Sequence, residues 1–120
     1  MADNNEAAGH GRLSVVRDDV DGIAVLGLRG EVDYQSVGAL SEAVPEPSGD
    51  GLRIVVDLSG VTFMDSSGVN ALIAAHRTTR AAQGWLRLAG ARGAVLRTVQ
   101  LVGLDGLVSC HPTVEDAMAA

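Results

Sequence analysis

At 120 residues the chain is long enough for one domain around one core, and 47% of it is hydrophobic. A formal net charge of −6, with all nine basic residues arginine, argues against a nucleic-acid partner, because phosphate backbones are held by clustered cations. The lone Cys110 excludes an internal disulfide and a cysteine metal cage, and His10, His76 and His111 lack ligand spacing, so no metal site is expected.

Residues 1–11 are small and polar and read as a disordered tail; residues 12–120 form the domain. The opening Met1 to Glu6 has neither a basic region nor an apolar run, so no signal peptide is expected. No stretch reaches the ~18 apolar residues of a membrane-spanning helix. A soluble, cytoplasmic protein with no membrane partner is the expectation.

Leu13 to Arg17 and Ile23 to Arg29 are apolar, β-branched runs separated by Asp18-Asp19-Val20-Asp21-Gly22, which predicts an antiparallel hairpin. Gly30 to Gln35 reads as a loop. Ser36 is placed to cap a short helix with Val37, Leu40, Ala43 and Val44 inward, and Pro45, Pro47 and Ser48 to Gly51 form a second loop. Leu52 to Leu58 has the continuous apolar centre of a strand covered on both faces.

A Ser-containing segment follows, then a helix from about Ser66 to Ala82 with Val69, Leu72, Ile73 and His76 on one stripe, stopped by Gly84. Trp85 to Leu88 is a short strand. Ala94 to Val102 is a helix with Val95, Val99 and Val102 inward, closed by Gly103-Leu104. Leu107 to Cys110 is an edge strand, and Thr113 caps a last helix with Glu115 and Asp116 in its first turn. The order β-β-α-β-α-β-α-β-α predicts an α/β fold: one mostly parallel sheet of four to five strands carrying about four helices.

The segment Phe63-Met64-Asp65-Ser66-Ser67-Gly68 lies between an apolar strand and an apolar-periodic helix. Asp and Ser are leading helix caps, and a cap alone would account for them. Yet two serines and an aspartate exceed what one helix end needs, and Phe63 and Met64 before them are large apolar groups that could be partly exposed. A hydroxyl beside a helix N-terminus can take a phosphate without straining the fold, and the added charge would change only what the surface touches.

Three segments resemble a known family, the STAS domains of the anti-sigma factor antagonist type. They are Gly30-Glu31-Val32-Asp33 with Ser36 and Leu40, Asp57-Leu58 through Gly68, and Gly84 through Gly103-Leu104. Together they span roughly residues 13–118 in the family's order. The resemblance implies a STAS-like single domain. It implies that Ser66 is phosphorylated by a partner that is both an anti-sigma factor and a serine kinase of the histidine-kinase-like ATPase fold. The unphosphorylated protein would bind that partner and free a sigma factor; phosphorylation would break the complex, and a serine phosphatase would restore it. ATP belongs to the kinase, so no cofactor is implied here.

The resemblance also sets the loop of Asp33 beside that of Ser66 on the partner-binding face, with Asp33, Tyr34, Asp65, Ser66, Ser67, Gly68 and Asn70 as candidate contacts. Asp33 has the alternative of a solvated loop acid, and Tyr34 that of packing on the first helix. Where the family often has Gly-Leu-Gly, this chain has Gly68-Val69-Asn70. Asn70 lies one helical turn after Ser66 on the same side and could narrow which kinase docks.

Two other readings compete. As a nucleophile Ser66 needs a base, but the chain has no Gly-x-Ser-x-Gly elbow, and His76 lies ten residues on, ~15 Å along the helix. No catalytic residue is therefore assigned, and His76 reads as a core or boundary histidine, Cys110 as a small hydrophobe. The second alternative is a non-phosphorylated STAS adaptor or ligand-sensing module.

Overall fold

The computed structural model describes residues 12–47 and 51–120, so the expected tail and the Ser48–Asp50 part of the second loop lie outside the described residues. Strands β1 (Leu13–Val20) and β2 (Ile23–Val32) pair antiparallel from Val20↔Ile23 to Leu13↔Gly30. The hairpin turns on Asp21 and Gly22 at φ 52° and 78°. That pair of left-handed residues matches the twist of the flanking strands. β1 therefore runs three residues past the expected Arg17.

β3 (Arg53–Met64), β4 (Trp85–Ala89) and β5 (Ser109–His111) add in parallel, giving the order β1-β2-β3-β4-β5. The connecting helices are α1 (Val37–Ala43), α2 (Ser66–Ala81) and α3 (Gly93–Leu101); a 3-10 turn (Leu104–Gly106) precedes β5, and α4 (Val114–Ala119) closes the chain. The predicted α/β class, element order and mostly parallel sheet are what the structure shows.

Alternation in the strands sends their two sets of side chains into two unequal cores. On one face Leu26, Ile54, Val56, Leu58 and Leu88 pack with Leu40 of α1, Leu72 of α2, and Val95 and Val99 of α3. On the other face Ile23, Val55 and Ala89 meet Ala117 of α4, with Val25, Trp85, Val114 and Met118 at the margin. Arg87 crosses this second face, stacking 3.7 Å over the Trp85 ring and donating to the Ala117 carbonyl at 2.8 Å. No helix among the described residues is long and apolar enough to cross a membrane.

Several boundaries moved, each for a local reason. Gly30 to Val32 is strand, because β2 stays paired with β3 through Val32↔Met64. β3 correspondingly continues six residues past Leu58, carrying two register shifts. The inward stripe of α2 is Gly68, Val69, Leu72, Ala75 and Thr79, which leaves Ile73 and His76 half-buried at its edge. The left-handed residue ending α2 is Gln83, at φ 61°, while Gly84 donates to the Thr79 carbonyl at 2.7 Å. Val102, expected inward, is 55% exposed beyond the last turn of α3. Gly103 does close α3, at φ 76°, followed by buried Leu104. Leu107 and Val108 precede β5 instead of forming it, because Leu107 ends the 3-10 turn.

Candidate functional site

The paired ends of β2 and β3 bring the two expected loops together. Glu31 lies opposite Phe63 and Val32 opposite Met64, and the Asp65 N–H donates to the Val32 carbonyl at 3.1 Å. The chain after β2 and the chain after β3 therefore leave the sheet side by side, Asp33-Tyr34 from one and Asp65-Ser66 from the other.

The Asp33 loop is a self-bonded turn. Oδ1 of Asp33 accepts from the N–H of Gln35 at 3.0 Å and of Ser36 at 2.9 Å, and its carbonyl accepts from Val37 N–H. Ser36 does not cap α1 with its side chain. Instead its fully buried hydroxyl donates to the Glu31 carbonyl at 2.7 Å and accepts from Asp33 N–H at 2.9 Å, bracing the loop against β2. Asp33 is thus not a freely solvated acid: one oxygen holds the turn. Tyr34, on the crest of that turn, is 82% exposed and does not pack on α1.

Asp65 caps α2. Its Oδ1 accepts from Ser67 N–H at 2.8 Å and Gly68 N–H at 3.4 Å, satisfying two of the orphan donors of the helix end. This fixes Ser66 as the first helical residue. Its side chain is exposed, and its hydroxyl has no hydrogen-bond partner among the described residues. Asp65 occupies two of the helix-end donors, and the exposed Ser66 side chain stands beside that carboxylate in sequence.

Ser67 is half-buried behind it, and Asn70 is exposed one turn further along the same side. Gly68 lies inside, where a Cβ would come 2.5 Å from Met64 Cγ and 2.8 Å from Val32 Cγ1. It seats α2 against the strand ends.

Of the apolar pair expected to be partly exposed, Phe63 and Met64, only Phe63 meets that expectation. It is 48% exposed, while Met64 beside it is buried. The cause is a bulge: Gly30 pairs with Val61 but Glu31 with Phe63, so Thr62 is extra and the alternation slips by one. No residue pattern in the chain marks that slip. Two of the three aromatic residues, Tyr34 and Phe63, are exposed, and both lie at the paired ends of β2 and β3 that Asp65-Ser66 follows.

The remaining candidates lie elsewhere. His76, three turns down α2, is half-buried with its Nδ1 unpartnered, at a boundary position. Cys110 is half-buried in β5, and burial, helped by Asp105, pushes its thiol above the usual range. Among the described residues no three His, Cys, Asp or Glu side chains come together to hold a metal.

The STAS domain pattern matches residues 14–117. The anti-sigma-F factor antagonist RsfB of Mycobacterium tuberculosis is 35% identical over 108 residues, covering 88% of this chain and 87% of its own. The crystal structure of an anti-sigma factor antagonist from Mycobacterium paratuberculosis superposes with a TM-score of 0.77 at 31% identity, over 89% of this chain and 92% of that one. The anti-sigma factor antagonist SpoIIAA in its unphosphorylated form gives 0.70 at 25% identity, over 88% and 93%. All three are named as antagonists of anti-sigma factors. With its matched span, its sheet order and its Asp-Ser-Ser-Gly helix entry, the chain belongs to the STAS domain family.

Proposed function

We propose that this protein is an anti-sigma factor antagonist controlled by phosphorylation of Ser66. In this reading the unphosphorylated protein binds an anti-sigma factor that is also a serine kinase of the histidine-kinase-like ATPase fold, and a sigma factor is released in the cytoplasm. Phosphorylation ends the complex and a serine phosphatase renews it. The observation carrying this is the exposed, unengaged Ser66 hydroxyl in the first turn of α2, which starts from the paired strand ends where Tyr34 and Phe63 are exposed. The names of the relatives support the partner class.

Exposed aromatic groups suit a docking surface, since they bury large area at little entropic cost. Tyr34, Phe63 and Asn70 would form the contact, with Asp33 and Asp65 holding its two loops in shape. A neutral hydroxyl can be enclosed in such a contact, whereas a phosphate of nearly two negative charges beside Asp65 resists desolvation. A penalty of ~4 kcal/mol corresponds to about a thousandfold weaker binding.

The test compares wild type, Ser66→Ala and Ser66→Asp by calorimetry against the kinase-type anti-sigma factors of the same genome. Wild type and Ser66→Ala are expected to bind, and Ser66→Asp at least about a hundredfold more weakly, a loss of ~2.7 kcal/mol. Equal affinity of all three would remove the switch. In a second arm, wild type incubated with kinase and ATP should gain one phosphate, located by mass spectrometry, and Ser66→Ala none.

A further inference from the structure

The second face of the sheet is only half covered. α4 lies over Ile23, Val55 and Ala89, but further along the strands the face is open. There a row of aligned positions crosses the sheet: Val16↔Gly27 between β1 and β2, then Gly27↔Asp57 between β2 and β3. Gly27 has no side chain, so the floor dips between Val16 and Asp57. The result is a polar groove of about 340 Å³, lined also by Arg29, Ser59, Gly60 and Arg92.

Arg92 reaches the groove because the β4–α3 loop lies against the sheet. Gly90, at φ 76°, makes that approach possible; a Cβ there would come 2.9 Å from Ser59 Cβ and 3.1 Å from Asp57 Oδ1. Arg92 then donates to the Ser59 carbonyl at 3.2 Å. Arg29 enters from β2 with no hydrogen-bond or ion-pair partner among the described residues. Neither guanidinium meets a carboxylate among the described residues, in a chain carrying fifteen acidic residues against nine basic ones. The one acid in the groove, Asp57, turns its Oδ1 to Ser59 N–H at 3.0 Å.

We propose that this groove binds a small phosphate ester of a hydroxylated compound. Two guanidinium groups lining one groove suit the tetrahedral oxygens of a phosphate, which such forks contact bidentately. The second oxygen of Asp57 is left to accept a hydroxyl of the same ligand. The volume is at the lower end of small-molecule sites, which favours a compact ester. Both arginines are exposed, so solvent screens them and the expected affinity is micromolar to millimolar. The site is separate from Ser66 and independent of the switch proposed there.

The test is a titration of the ¹⁵N-labelled full chain with glycerol 3-phosphate, inorganic phosphate and glycerol, with sodium chloride matched in ionic strength. Glycerol 3-phosphate should shift the amides of Gly27, Ser59, Gly60 and Arg92 saturably, inorganic phosphate more weakly, and glycerol and chloride not at all. An Arg29→Gln, Arg92→Gln double variant should weaken binding at least about tenfold, or ~1.4 kcal/mol. Gly27→Val should abolish it while leaving the fold intact, because a Cβ at Gly27 meets only the Val16 carbonyl, at 3.7 Å.

Pelleting of wild type, but not of the double variant, with phosphatidic acid vesicles would place the phosphate on a lipid headgroup; ester binding without pelleting would make it a soluble metabolite. Shifts reproduced by chloride, or unchanged in both variants, would overturn the proposal, as would no shift at all. Ser66→Ala should titrate like wild type, which separates a failure here from a failure of the switch.

Discussion

Gly68 occupies the third position of α2, one residue from the serines, and its reason for being glycine is space. A side chain there would drive into Met64 and Val32, the two residues that end the paired strands. Overpacking of a filled core costs about 1–3 kcal/mol. Gly68→Val should therefore lower the unfolding free energy measured in urea by that amount, with a lower midpoint. It should also weaken partner binding, because displacing α2 moves Ser66 relative to Tyr34. If stability is unchanged while binding falls, Gly68 is instead a direct contact. Ser36 makes the complementary point. Its spacing suggested a helix cap, but its buried hydroxyl holds the Asp33 turn to β2, a role that only the neighbouring Glu31 carbonyl explains.

At the scale of elements, the entry to α2 is built so that one side chain does the capping and the next is left free. Asp65 satisfies the Ser67 and Gly68 amides, which releases Ser66 from any structural duty. Asp65→Ala should cost about 1 kcal/mol in denaturant unfolding and speed amide exchange at Ser67 and Gly68. Ser66→Ala should be neutral within about 0.5 kcal/mol. The contrast between the two is the check: equal losses would mean Ser66 helps hold the helix end, leaving it less free for modification. α4 starts on the same principle, with Thr113 Oγ1 accepting from Asp116 N–H at 3.0 Å and two acids in its first turn.

For the whole molecule, the two faces of the sheet differ in how firmly they are closed. Three helices cover one face, whereas the other depends on the six-residue α4. A helix that short has no stability of its own, so its docking through Ala117 and the Arg87 contact holds it in place. Removing residues 113–120 should expose Ile23, Val55 and Ala89 together. The shortened chain is expected to unfold at lower temperature and to bind the dye ANS, with intrinsic Trp85 fluorescence shifted to the red. An unaltered melting curve would mean that α4 is not needed to close that face.

Period, composition and punctuation were enough to read the element order, the parallel sheet and the helix beginning near Ser66, because each rests on interactions within a few residues. The hairpin turn, the glycine closing α3 and the threonine capping α4 were legible for the same reason. Exposure was expected of both Phe63 and Met64; that Met64 is buried was not legible, since the bulge at Thr62 comes from the register between β2 and β3, set by pairing partners some thirty residues apart. The outward position of Val102 and the edge position of His76 likewise depend on how α3 and α2 sit on the sheet, not on their own periodicity. Local chemistry named the serine; only the packing of distant strands decided which aromatic groups stand beside it, and that Arg29 and Arg92 would share one groove.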